Sequence, residues 1–156
     1  MQLVGDHIRS SLWPIKHACC FTVAEFVSSG DKTSTYTENE ARLIWSLFEE
    51  SLSGKTWEGK EKIIAAFPVF VIRAEIIWSD IRSQVKKIAI REAKRNNALY
   101  SSHALKALAA IAMQHSDLDA SSEVVQHLVE VANRIRDKDA DAMDIDPPSA
   151  SDLKAR

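Results

Sequence analysis

Glycine and proline are scarce in this chain: 4 of each in 156 residues, with two of the prolines adjacent near the C-terminus. A β-sandwich or barrel needs turn residues at roughly ten-residue intervals, so the scarcity excludes those architectures and points to helices. Cysteine is nearly absent as well. The 2 present, Cys19 and Cys20, are neighbours, and neighbouring side chains on a helix diverge by about 100° and cannot form a relaxed disulfide. A disulfide framework is thereby excluded, and a reducing compartment is expected. Long apolar runs are missing. The longest, Ile63 to Ile72, is interrupted by Pro68 and reaches half of the roughly 20 residues that span a bilayer. The opening residues, Met1-Gln2-Leu3-Val4-Gly5-Asp6-His7, carry no apolar stretch of the secretion-signal kind. The expectation is a soluble intracellular protein without membrane insertion. An excess of one charge is missing too, since 20 basic residues face 22 acidic ones. Charge alone therefore demands neither a nucleic-acid nor a membrane partner.

What is present is apolar side chains in helical order, 46% of the chain by the broad count. The pattern predicts six helices, near 12–29, 37–53, 57–77, 79–95, 98–115 and 119–136. Pro14 sits where the first turn of a helix needs no N–H. Thr37 and Glu40 have the spacing of a capping box, and Ser79-Asp80 is read as the cap of the fourth helix. Pro68 is expected to kink or briefly break the third helix, because it removes one backbone hydrogen bond and crowds the preceding turn. The fifth helix is apolar on nearly all sides, which implies burial between neighbours. Residues 137–156 hold 6 Asp against Lys138, Lys154 and Arg156, a net of −3 that leaves +1 for the rest of a chain whose total is −2. With almost no large apolar residue, this stretch is read as a disordered acidic tail or linker.

Three of the helices share a mark. Trp13-x-x-Lys16, Trp57-x-x-Lys60 and Tyr100-x-x-His103 recur at spacings of 44 and 43 residues, with one further amphipathic helix inside each interval. Two helices per unit at such a period is the signature of HEAT or armadillo arrays, in which stacked pairs bury what one pair cannot. The reading is an all-α, HEAT/armadillo-like helical-repeat solenoid over 1–136. Its inner helices lie near 12–29, 57–77 and 98–115, and its outer ones near 37–53, 79–95 and 119–136.

No constellation for catalysis, metal or cofactor emerges. Ser53-Gly54-Lys55-Thr56 echoes a phosphate loop, but Glu49 stands where that motif needs glycine and a helix precedes it in place of a strand. The 5 histidines are dispersed, and His17-x-Cys19-Cys20 cannot place three ligands on one helical face. The reading is therefore of a non-enzyme without cofactor or small-molecule substrate. The candidate contact residues are cationic. Lys16 and Lys60 occupy matched positions one turn inside inner helices, where they could line a ridge. Arg82, Lys86, Lys87, Arg91, Lys94 and Arg95 crowd the fourth helix with only Glu92 opposing. That set could meet an acidic protein or phosphates, or form a solvated face with cations near a helix C-terminus. The absence of interleaved aromatics counts against single-stranded nucleic acid.

The stretch Leu52-Ser53-Gly54-Lys55-Thr56-Trp57-Glu58-Gly59-Lys60-Glu61, running into Ile63-Ile64-Ala65-Ala66, resembles a segment of the large proteasome-associated HEAT-repeat adaptor and scaffold family. Leu12-Trp13-Pro14-Ile15-Lys16-His17-Ala18 is similar to the start of the preceding inner helix there. The resemblance implies a piece of a far longer array that binds proteasome core and regulatory particles, in cytoplasm and nucleus, as a non-catalytic tether or assembly check. It carries over no catalytic residue, and neither Pro68 nor the basic fourth helix has a counterpart in the pattern. The alternatives are another HEAT-type scaffold, such as a transport or trafficking adaptor, and nucleic-acid binding through the fourth helix.

Overall fold

The computed structural model describes residues 1–31 and 34–143, and every regular element among them is helical. The order is α1 (Gln2–His7), α2 (Trp13–Ser29), α3 (Glu38–Leu52), α4 (Lys60–Arg73), α5 (Trp78–Ala93), α6 (Ala98–Gln114) and α7 (Ser121–Met143), with 3₁₀ turns at Glu75–Ile77 and Ser116–Leu118. The chain is an all-α protein of the helical-repeat class. Residues 1–120 form one compact unit, and the described part of the second is α7.

Four departures from the sequence reading have local causes. A short helix, α1, precedes the first expected one; it has no apolar period of its own and is followed at once by the buried Ile8. Ser79-Asp80 does not cap α5. The helix begins one residue earlier, straight out of the 3₁₀ turn and with no side-chain cap, while the Asp80 carboxylate accepts a 2.8 Å bond from Arg42. Pro68 does not break α4, which runs unbroken from Lys60 to Arg73 with Pro68 buried. Finally, α7 continues to Met143, into the stretch read as disordered; its polar composition hid a segment free of glycine and proline, which nothing stops from continuing as helix. Residues 144–156 of that tail lie outside the described residues.

Other signals are realised directly. The Thr37 amide donates to Glu40 Oε2 at 2.9 Å, and the Glu40 amide donates to Thr37 Oγ1 at 3.4 Å, which completes the capping box. Asn97 Oδ1 accepts from the Tyr100 amide at 2.9 Å and starts α6.

Within the first unit α4 packs against α2, α3 and α6, and α5 packs against α6. Its sequence explains the central place: Ile63, Ile64, Phe67, Phe70 and Val71 are all fully buried. Phe67 and Phe70 meet Phe48 of α3 at ring-centre distances of 5.5 and 5.1 Å. Cys19 and Cys20 are small buried residues of α2. The fifth predicted helix, α6, is less enclosed than its composition suggests. It buries Tyr100, Ala104, Leu108 and Ile111 but leaves Leu99 and Met113 at 72% and 89% exposure.

Candidate protein-docking surface

The matched lysines turn inward. Lys16 Nζ donates to Glu50 Oε1 of α3 at 3.0 Å and keeps 23% side-chain exposure. Lys60 Nζ meets Glu92 Oε2 of α5 at 3.1 Å, with both side chains at 0% exposure. Lys16 thus reaches α3, 34 residues on, and Lys60 reaches α5, 32 residues on. Both lysines therefore tie helices to one another within the chain. Lys60 is removed from any contact ridge by this burial.

Around Lys60 lies a densely hydrogen-bonded polar cluster. Its ammonium donates to the Leu52 carbonyl at 2.9 Å, with the Ser53 and Lys55 carbonyls at 3.4 and 3.5 Å. From α5, Arg91 Nη2 donates to the same Leu52 carbonyl at 2.9 Å, and Arg95 Nη2 donates to the Gly54 carbonyl at 2.5 Å. Three cations therefore grip the end of α3, where unpaired carbonyls and the negative end of the helix dipole welcome positive charge. The Ser53–Thr56 turn presents carbonyls to ammonium and guanidinium groups, the reverse of what a phosphate loop offers.

Glu92 organises the cations. It accepts from Arg91 Nε at 2.8 Å, Arg95 Nη2 at 2.8 Å and the Tyr100 hydroxyl at 2.8 Å. Burial would raise its carboxyl, but Arg95, Lys60, Tyr100 and Arg91 outweigh that and hold it at about 2. Burial pulls the Lys60 ammonium below the ordinary lysine range, against the attraction of Glu92. Burial and the adjacent carboxylate push the Tyr100 phenol upward. A buried pair of this kind contributes little over an apolar pair of equal shape, yet removing one partner typically costs about 3–5 kcal/mol. The cluster fixes the fold; it is shaped for structure.

The remaining candidates divide. Arg82 pairs with Asp117 at 2.7 Å, and Lys86 donates to the Asp119 carbonyl. Arg91 and Arg95 are engaged as described, Arg91 with 47% of its side chain exposed. Lys87 of α5 and Lys94, its C-cap residue, stand exposed.

Sequence reading missed Glu92 and Glu50 as anchors; the visible signal was the near-equal interval to each from the aromatic-marked lysines. It also missed Arg73, which is buried at the far end of α4. Arg73 donates to the Ser34 carbonyl at 2.9 Å and the Val27 carbonyl at 3.3 Å, under the Tyr36 ring.

Two grooves open between neighbouring elements. One, of about 730 Å³, runs between α2 and α4 past Phe21, Phe26, Lys62 and Ala65. The other, of about 750 Å³, lies at the starts of α4 and α6 and is lined by Trp57, Glu58, Glu61, Leu99 and His103. Trp57 is fixed there by stacking on His17 at 3.9 Å and by edge contacts with Trp13 and Phe21. Among the described residues no three His, Cys, Asp or Glu side chains are placed to hold a metal ion, and no helix is long and apolar enough to cross a membrane.

The family described as "ECM29, C-terminal ARM-like repeats" matches residues 71–156. That range begins downstream of the Leu52–Glu61 stretch and takes in the basic helix α5, for which the earlier resemblance offered no counterpart. The chain is 31% identical over 107 residues, 68% of its length, to "Proteasome component ecm29" of Schizosaccharomyces pombe, of which it covers 6%. The chain thus spans a small fraction of this relative. No solved structure matches.

Proposed function

Since the chain belongs to the ECM29 C-terminal ARM-like repeat family, we propose that it is a non-catalytic proteasome-binding adaptor or scaffold segment. It would contribute to tethering core and regulatory particles or to checking their assembly. The observation that carries this reading is the family match over residues 71–156, reinforced by the 31% identity to a proteasome component. Its partners on this reading are subunits of the two particles, in cytoplasm and nucleus. The arrangement of polar groups is compatible with it: the buried ionic cluster serves packing, and the solvent side offers grooves and cations suited to proteins. Affinity would come from many modest contacts along stacked helix pairs.

Nucleic-acid binding through α5 is the weaker reading. Four of the six cations at positions 82–95, Arg82, Lys86, Arg91 and Arg95, already hold carboxylates or carbonyls of the chain itself. A transport or trafficking scaffold of the same repeat type has no observation in its favour beyond the fold. The test is capture from a cell lysate by the tagged 156-residue chain at physiological salt. Stoichiometric recovery of core and regulatory proteasome subunits is expected. Recovery of other complexes in their place, or of nothing from a chain that circular dichroism shows to be folded, contradicts the proposal for this segment.

A further inference from the structure

One charged feature is left over by the packing: the outward side of α5. At its C-terminal half Lys60, Arg91 and Arg95 surround a single carboxylate, Glu92. Three positive charges against one negative leave that cluster at a formal +2. Lys87 and Lys94 are exposed beside it, and so is Lys55 in the turn that Arg95 grips. At about 100° and 1.5 Å per residue, positions 87 and 91 of α5 and its C-cap residue 94 fall within about 60° of one another over roughly 10 Å. Of the two carboxylates of α5, Asp80 is bound to Arg42, and Glu92 is buried, where it pairs with Arg91 but is shared with Lys60 and Arg95.

We propose that Lys87, Arg91 and Lys94 form a docking stripe for an acidic protein segment, one whose carboxylates recur along a helix face at the same i, i+4, i+7 spacing. The half-exposed Arg91 is held in place by Glu92 and the Leu52 carbonyl, so the centre of the stripe is preorganised and loses little freedom on binding. Electrostatic complementarity of this kind sets encounter rate and partner choice. A nucleic acid is the poorer fit, since three cations meet few phosphates and no aromatic side chain stands between them to stack on a base. The inference rests on the adaptor reading only for the partner being a protein.

The test uses the full chain and a labelled helical peptide with glutamate at the i, i+4 and i+7 positions, followed by fluorescence anisotropy at about 0.15 M salt. Binding is expected, weaker by about tenfold or more for the peptide with glutamine in place of glutamate and for the chain carrying Lys87→Glu with Lys94→Glu. Lys87→Arg with Lys94→Arg should retain it, and circular dichroism checks that each variant is folded. Should the charge reversal unfold the chain, Lys87→Gln with Lys94→Gln provides the same comparison. The proposal is overturned if the acidic peptide does not bind, if neither glutamine peptide nor charge-altered chain binds more weakly, or if duplex DNA binds more tightly than the peptide. Proteasome capture without peptide binding removes the stripe and leaves the adaptor reading standing. Peptide binding without proteasome capture does the opposite.

Discussion

Glu92 is the carboxylate on which three cations and a phenol converge, so its ionisation is tied to folding. Its folded pKa of about 2 lies below the ordinary 4.5. The stabilisation is therefore fully present above pH 4.5 and is lost as pH falls through about 2. The difference corresponds to about 3 kcal/mol. Urea denaturation of the wild-type chain should show midpoints falling across that interval. In Glu92→Gln the neutral-pH midpoint should already be low, because Lys60 is left buried without its counter-charge, and the dependence between pH 4.5 and 2 should be flatter. Parallel pH profiles for the two proteins would show that Glu92 is not the group responsible. At this scale the sequence showed which lysines matter, through the aromatic three positions ahead of Lys16 and Lys60, but not which way they point. That direction follows from how the preceding turn closes, a tertiary fact with no local periodicity to announce it.

The helix α4 is fastened at both ends by buried cations, Lys60 on the α3 terminus and Arg73 on the α2–α3 connection. Its entry depends on Gly59, whose φ of +97° is one that side chains rarely adopt, and where an added Cβ would lie 2.5 Å from Phe21 Cζ. Gly59→Ala should cost about 1–3 kcal/mol through strain and collision together. Gly54→Ala shares a positive φ, +71°, but faces open space, and should cost less. Thermal unfolding of the two variants side by side checks the order; equal losses would mean that the aromatic contact under Gly59 carries no weight. Helix number, the capping box at Thr37 and the start of α6 at Asn97 were legible because each is a short-range pattern. The behaviour at Pro68 was not, since the intrinsic penalty of proline is offset by burial of the surrounding α4 side chains on three neighbouring helices. The exposed apolar face of α6 was hidden for a related reason. Alanine reads as apolar yet demands no burial, so Leu99 and Met113 are left open beside it.

For the whole molecule the 44- and 43-residue spacings of Trp13, Trp57 and Tyr100 were enough to indicate stacked helix pairs. The Lys16–Glu50 and Lys60–Glu92 contacts tie α2 to α3 and α4 to α5. The docking surface was only half legible. Six cations between positions 82 and 95 stand out in any sequence, but which of them remain available depends on the carbonyls of the α3 terminus and on the turn at 117–119, both distant in the chain. On the proposed reading, this repeat segment binds proteasomes through its solvent-facing cations, while its buried ones hold the fold. Co-sedimentation of the purified chain with purified core and regulatory particles at physiological salt tests it most directly. The wild-type chain should move with the particles, and the folded Lys87→Glu, Lys94→Glu chain should stay behind. A wild-type chain that remains at the top of the gradient, or a charge-reversed chain that sediments equally well, would contradict it.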